Sequence, residues 1–181
     1  MLVLASRSPR RREILQQAGI PFIARPADVD ESLLPGEPAR DYVARIARDK
    51  AAAAPAAPGE IILGADTTVV VDGQILAKPL DTAGAIRMLQ LLSGRRHEVL
   101  TAICLRAAAR VIQDCAETSV WFAPLSPDEI AGYAASGEPM DKAGAYAIQG
   151  LASKFVQRIE GCYFNVMGLP VSLVYHHLRS L

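Results

Sequence analysis

Charge of either sign is not in excess in this sequence of 181 residues: 19 Lys and Arg stand against 19 Asp and Glu, a formal net charge of zero. No global field then draws the chain to nucleic acid or to an anionic membrane, and any anion site has to be local. No apolar run approaches membrane-spanning length. A short apolar stretch precedes the first arginines, the reverse of the order in a signal peptide. A cytoplasmic protein with no membrane partner is therefore expected. Cysteine is scarce: Cys104, Cys115 and Cys162 are odd in number, far apart and form no CxxC, which argues against a disulfide framework or a zinc knuckle. They read as core or near-core thiols. His97, His176 and His177 offer no metal cluster, because adjacent residues on a helix point about 100° apart. There is no GxxxxGK[ST] segment, which excludes a P-loop enzyme, and there is no internal repeat or low-complexity tail.

What is present is a chain that is 51% hydrophobic and 21% charged, enough to bury a sizeable core either as one large domain over 1–181 or as two small lobes sharing that core. Its central stretch is Glu60-Ile61-Ile62-Leu63-Gly64-Ala65-Asp66-Thr67-Thr68-Val69-Val70-Val71-Asp72-Gly73. The β-branched run closed by an Asp-Gly turn reads as a strand buried on both faces. Asp66 stands in its middle, and a buried carboxylate there needs a cation, a metal or hydrogen-bond donors. Gly64 and Ala65 remove bulk just before the acid, as expected where a ligand or another backbone comes close.

The flanking segments supply candidates for that partner. Leu2 to Ala5 reads as a short strand, and Ser8-Pro9 opens a helix whose stripe of Ile14, Leu15 and Ala18 also takes in Arg11. Arginines in a first turn oppose the helix dipole, so an anion such as a polyphosphate is expected beside Arg10 and Arg11, the alternative being a solvated basic turn. Phe22 to Ala24 reads as a second strand. The loop that follows, Asp28-Val29-Asp30-Glu31-Ser32, carries carboxylates able to hold a divalent ion. Pro38 to Ala54 is an amphipathic helix with Tyr42, Val43, Ile46 and Ala47 inward. Lys50 falls on the same face, so its ammonium either snorkels out or reaches a buried anion. After the Asp72-Gly73 hairpin, Lys78-Pro79 places a lysine where it is either an ion-pair partner of Asp66 or a phosphate contact.

Asp81 or Thr82 caps the next helix, and two long strands, His97 to Ala107 and Val111 to Phe122, are expected to pair as a hairpin around Arg110. Ser126-Pro127-Asp128-Glu129 starts a further helix. Gly137 to Gly150 lacks any period and reads as a shaped, ligand-facing loop containing Lys142 and Gln149, with Gln149 either reading a base edge or satisfying nearby backbone. A strand over Val156 to Ile159 and a closing helix after Pro170 complete an α/β fold with a mixed twisted sheet and flanking helices.

Six segments in this order resemble the Maf-like nucleoside triphosphate pyrophosphatases: Ser6-Arg7-Ser8-Pro9-Arg10-Arg11, Asp30-Glu31, Ala47-Arg48-Asp49-Lys50-Ala51, Gly64-Ala65-Asp66-Thr67, Lys78-Pro79 and Asp141-Lys142-Ala143-Gly144-Ala145-Tyr146. The resemblance covers nearly the whole chain. It implies the Maf/Ham1 fold, similar to that of inosine triphosphate pyrophosphatases, with two lobes around a cleft. The implied reaction is hydrolysis between the α- and β-phosphates of a nucleoside triphosphate, dependent on Mg²⁺ or Mn²⁺. Asp66 is then the implied proton acceptor, and Arg10, Thr67 and Gln149 fall on positions tied to substrate choice. The Asp141 to Tyr146 segment with Gln149 resembles the dTTP/UTP branch rather than the 7-methyl-GTP branch.

On this resemblance Asp66, Glu31, Lys50 and Lys78 are the catalytic candidates, and Ser6, Arg10, Arg11, Thr67, Lys142 and Gln149 the substrate-binding ones. Glu31 and Asp66 are the candidate metal ligands on chemical grounds, and ligand and base are competing duties for Asp66. The basic groups and the ion together offset a triphosphate of about four negative charges. The resemblance is compatible with a homodimer. A different class, a nucleotide-sensing cell-division regulator with little turnover, predicts binding with at most stoichiometric hydrolysis.

Overall fold

The structure, a computed structural model, describes residues 1–108 and 110–181. Seven strands form one mixed sheet: β1 (Leu2–Leu4), β2 (Phe22–Ala24), β3 (Ile61–Val71), β4 (Gln74–Leu76), β5 (Arg96–Ala107), β6 (Arg110–Phe122) and β7 (Val156–Glu160). Their order is β2-β1-β3-β5-β6-β7, with β4 paired to β3. β1 runs parallel to both β2 and β3, pairing Leu2 with Phe22 and with Ile61. The pairs β3 with β4 and β6 with β7 are antiparallel. Among the described residues six α-helices accompany the sheet: α1 (Pro9–Gln17), α2 (Ala39–Ala53), α3 (Thr82–Leu92), α4 (Pro127–Ala135), α5 (Tyr163–Met167) and α6 (Val171–Leu178). Among the described residues no helix is long and apolar enough to cross a membrane.

The chain forms two compact units. The first comprises Met1–Thr67, Thr101–Ala116 and Gly168–Leu181; the second comprises Thr68–Leu100 and Glu117–Met167. In the first, Val3, Leu4, Ile14, Leu15, Val43, Ile46, Ile62 and Leu63 make the fully buried core. Gly64 is what lets α2 lie on β3. A Cβ added there would stand 2.1 Å from the Ala47 carbonyl oxygen and 2.7 Å from the Ala51 nitrogen, so it is a helix backbone that comes close. Gly64→Ala forces α2 away from the strand and is expected to destabilise the fold by about 2–3 kcal/mol, read as a lower urea midpoint.

The second unit packs Leu89, Leu92, Val99, Val120, Phe122, Tyr146 and Phe155. Its hairpin turn has Asp72 at φ 48° and Gly73 at φ 78°, both positive as a two-residue turn between twisted strands requires. Helix starts follow the sequence closely. Ser8 Oγ accepts from Arg11 N, Asp81 Oδ1 from Gly84 N, and Ser126 with Glu129 closes a reciprocal capping box.

Three expectations change. Ala18 is exposed as the C-cap of α1 and so takes no part in the inner stripe. Arg110 is already the first residue of β6, and the link before it includes Ala109, which lies outside the described residues. Part of the 137–150 loop is core: Gly144 to Ile148 are buried. The reason is a pairing of distant residues, since the Tyr146 hydroxyl lies 2.8 Å from His97 Nε2 and its ring packs edge-on against Phe122. Burial lowers the pKa of His97 to about 4, so this contact joins two neutral rings.

Candidate active site

In the first unit the inner face of α2 and the middle of β3 bring opposite charges together. Lys50 comes one helical turn after Ile46, and only 8% of it is exposed. Its ammonium donates to Asp66 Oδ1 at 2.8 Å and meets Glu31 Oε1 at 2.6 Å. Of the two destinations open to Lys50, the buried anion is the one it takes. Asp66 is only 7% exposed and finds its cation there, which is how a carboxylate is kept in the middle of a buried strand. The partner of Asp66 is thus Lys50 rather than Lys78.

Only one carboxylate of the acidic loop reaches this centre. Asp28 pairs with exposed Arg7, and Asp30 accepts from Ser32 N in a local turn. Glu31 is carried to Lys50 because the loop is tied to α2: the Tyr42 hydroxyl donates to the Glu31 carbonyl at 3.0 Å, and Arg45 donates to the Ser32 carbonyl at 2.9 Å while gripping Glu37 through two nitrogens. Burial, with Asp66 and Glu31 adding to it, pushes the Tyr42 phenol up to about 12, so it stays a donor. Tyr42 and Arg45 are supports that sequence reasoning missed. Tyr42 read as one more inward core residue, and its position on the Lys50 face was the available signal.

A second cluster surrounds Arg11, which is 7% exposed. Nε donates to the Gly168 carbonyl at 2.8 Å, Nη1 to the Ala65 carbonyl at 2.8 Å and to Ser6 Oγ at 3.1 Å, and Nη2 to Thr67 Oγ1 at 3.1 Å. In this structure the Arg11 guanidinium is thus met by protein oxygens of β3, of the α1 entry and of the α6 entry. Burial lowers its pKa, with the charge of Asp66 acting in the opposite direction. Thr67 is likewise engaged, since its hydroxyl also lies 2.9 Å from Thr101 Oγ1. Ser6 Oγ accepts from Ser8 N as well. Gly168 holds φ 113°, a conformation strained for any side chain, and its carbonyl is one of those turned to Arg11. Arg10 is partly exposed, and Arg12 crosses the surface to the Arg7 carbonyl, so the three arginines go three ways.

The remaining candidates belong to the second unit. Lys78 is exposed two residues beyond the end of β4. Lys142 is partly buried and donates to the Glu138 carbonyl at 2.7 Å and to Asp141. Gln149 is exposed in a turn that Gly150 N closes onto the Ala147 carbonyl at 3.1 Å.

The donor set suits a hard divalent cation. Among the described residues no three His, Cys, Asp or Glu side chains gather as a metal site, yet Glu31 and Asp66 bring two carboxylates to one point. Mg²⁺ is commonly held by one or two carboxylates while substrate phosphates and water fill the other positions.

Fold and site together define an α/β protein in which a buried lysine joins a buried carboxylate of the central strand to an exposed loop carboxylate. Its fold is that of the Ham1 protein of Staphylococcus aureus, which it matches over 99% of this chain and 98% of that one, with a TM-score of 0.57 at 16% identity. The model of the family described as "Maf-like protein" matches residues 1–181, and the chain belongs to that family. The dTTP/UTP pyrophosphatase of Anaeromyxobacter dehalogenans (strain 2CP-C) is 54% identical over 175 residues, 94% of this chain and 89% of the relative. The dTTP/UTP pyrophosphatase of Koribacter versatilis is 50% identical over 179 residues, 98% of this chain and 93% of the relative.

Proposed function

We propose that this protein hydrolyses dTTP and UTP to the nucleoside monophosphate and pyrophosphate. The family match along the whole chain and relatives of that name at half identity or more support the activity. The observation that carries the mechanism is the Lys50 ammonium set between Glu31 and Asp66. Glu31 and Asp66 would hold Mg²⁺ or Mn²⁺, which when bound neutralises phosphate charge and acidifies water. Lys50 fixes Asp66 through Oδ1, and Asp66 orients the attacking water and takes its proton at Oδ2. The buried Lys50 also offsets negative charge that gathers as the leaving pyrophosphate departs.

Arg10, Lys78, Lys142 and Gln149 are assigned to substrate, the cations to phosphate oxygens and Gln149 to the edge of the pyrimidine. Ser6, Arg11 and Thr67 are assigned to a preformed substrate-binding frame of the first unit, because their polar atoms are already joined to one another. We further assign the protein to the cytoplasm, as a single domain over 1–181, compatible with a homodimer and with no nucleic-acid or membrane partner.

The test is pyrophosphate release from dTTP, UTP, CTP, 7-methyl-GTP, ATP and GTP with Mg²⁺ or Mn²⁺ and with excess EDTA. Multiple turnovers confined to dTTP, UTP and close analogues, at least about 100-fold slower in EDTA and restored by excess Mg²⁺, are expected. Turnover of 7-methyl-GTP instead would overturn the substrate assignment. Tight binding with at most one turnover would replace the enzyme by a sensor.

A further inference from the structure

The turn that carries the exposed Gln149 is held on both sides. Ala147, two residues before it, gives its N–H to the Tyr133 hydroxyl at 3.2 Å, and Leu151, two residues after it, gives its N–H to Glu138 Oε2 at 3.1 Å. Tyr133 closes the circuit by donating its own hydroxyl to Glu138 Oε1 at 2.8 Å. Burial first and Glu138 second push the Tyr133 pKa far up, so the phenol remains a donor to the carboxylate. Gly150 lies under that carboxylate, where an added Cβ would stand 2.3 Å from Oε2 and 2.5 Å from Oε1. The main-chain carbonyl of the same Glu138 takes the Lys142 ammonium at 2.7 Å. One residue therefore fixes both ends of the turn that presents Gln149 and also places Lys142.

We infer that Glu138 is a positioning residue for nucleotide recognition, acting through Tyr133 and the Leu151 amide to hold the Gln149 turn in the geometry that reads a pyrimidine. The inference rests on the assignment of Gln149 to the base. A side chain that must present a donor and an acceptor together gains from a turn that cannot rotate, because flexible ordering on binding costs affinity. A loop glutamine that only satisfied nearby backbone would need no such framework.

Glu138→Gln keeps the shape but puts an NH₂ where one carboxylate oxygen stood, so either the Leu151 N–H or the Tyr133 O–H faces a donor. We expect KM for dTTP to rise about ten-fold with kcat within about three-fold, and the preference for dTTP over GTP to fall about ten-fold. Gly150→Ala retains Glu138 yet displaces its carboxylate, and should shift KM and preference in the same direction. In a Gln149→Ala background, Glu138→Gln should add less than about a two-fold further change, because the two residues act in series.

Circular dichroism and melting curves of each variant keep loss of fold apart from loss of positioning. If folded Glu138→Gln retains KM and preference within about two-fold of a selective wild type, or if its effect persists in full without Gln149, the inference falls. A wild type that hydrolyses none of these nucleotides would instead remove the functional reading beneath it, and with it this inference.

Discussion

Replacing Asp66 by asparagine is expected to lower kcat for dTTP and UTP hydrolysis by about 10³-fold or more while leaving the protein folded. Asparagine keeps the shape and still offers Lys50 an acceptor in place of Oδ1, so the 2.8 Å contact can persist. What is lost is the group that takes a proton from water and a formal charge at the proposed cation site. The stability cost should be small, about 1 kcal/mol, because Lys50 retains Glu31 at 2.6 Å and no buried charge is left without a counter-charge. The pairing of these two measurements decides the role. A kcat within about ten-fold of wild type would remove Asp66 from the chemistry. A large loss of both kcat and urea midpoint would mark it as a structural ion-pair member whose removal disorders the site.

The sequence made much of this centre legible, for reasons that are local. A carboxylate in a β-branched run and a lysine four residues after an inward isoleucine each conflict with burial, and both conflicts are resolved by the one contact between Lys50 and Asp66. Helix caps at Ser8 and Ser126 and the turn at Asp72-Gly73 were equally plain, since each depends on a few neighbouring residues, and of Asp81 and Thr82 it is Asp81 that caps α3. What local pattern does not carry is the partner of a long side chain. Of three carboxylates in the acidic loop only Glu31 arrives at Lys50, because Tyr42 and Arg45, more than ten residues away along the chain, hold that loop. The absence of a period over Gly137 to Gly150 read as a ligand-facing loop rather than core, yet Tyr146 is drawn into the core by His97, 49 residues distant. Gly64 pointed to a close approach without saying by what, and a helix backbone is the answer.

Arg11 lies on the inner stripe of α1 as expected, but the pattern did not name its partners, and its replacement by alanine should be the most destabilising of the substitutions considered, at about 4 kcal/mol. Its guanidinium joins α1 to β3, through the Ala65 carbonyl and Thr67, and to the entry of α6, through the Gly168 carbonyl. Alanine leaves those two carbonyls without this donor inside the protein and removes the packed stem, and each buried unpaired group costs about 1–3 kcal/mol. Arg11→Lys keeps the charge but cannot reproduce a fork that reaches Gly168, Ala65 and Thr67 together, so it should recover less than half of the loss. Urea unfolding of both variants measures this directly, with the lysine form serving if the alanine form does not fold. A phosphate contact predicts the reverse: an unchanged midpoint and a KM for dTTP at least about ten-fold higher. That result would return Arg11 to the substrate, and the oxygens of Ser6, Ala65, Thr67 and Gly168 would then be resting partners that the triphosphate displaces.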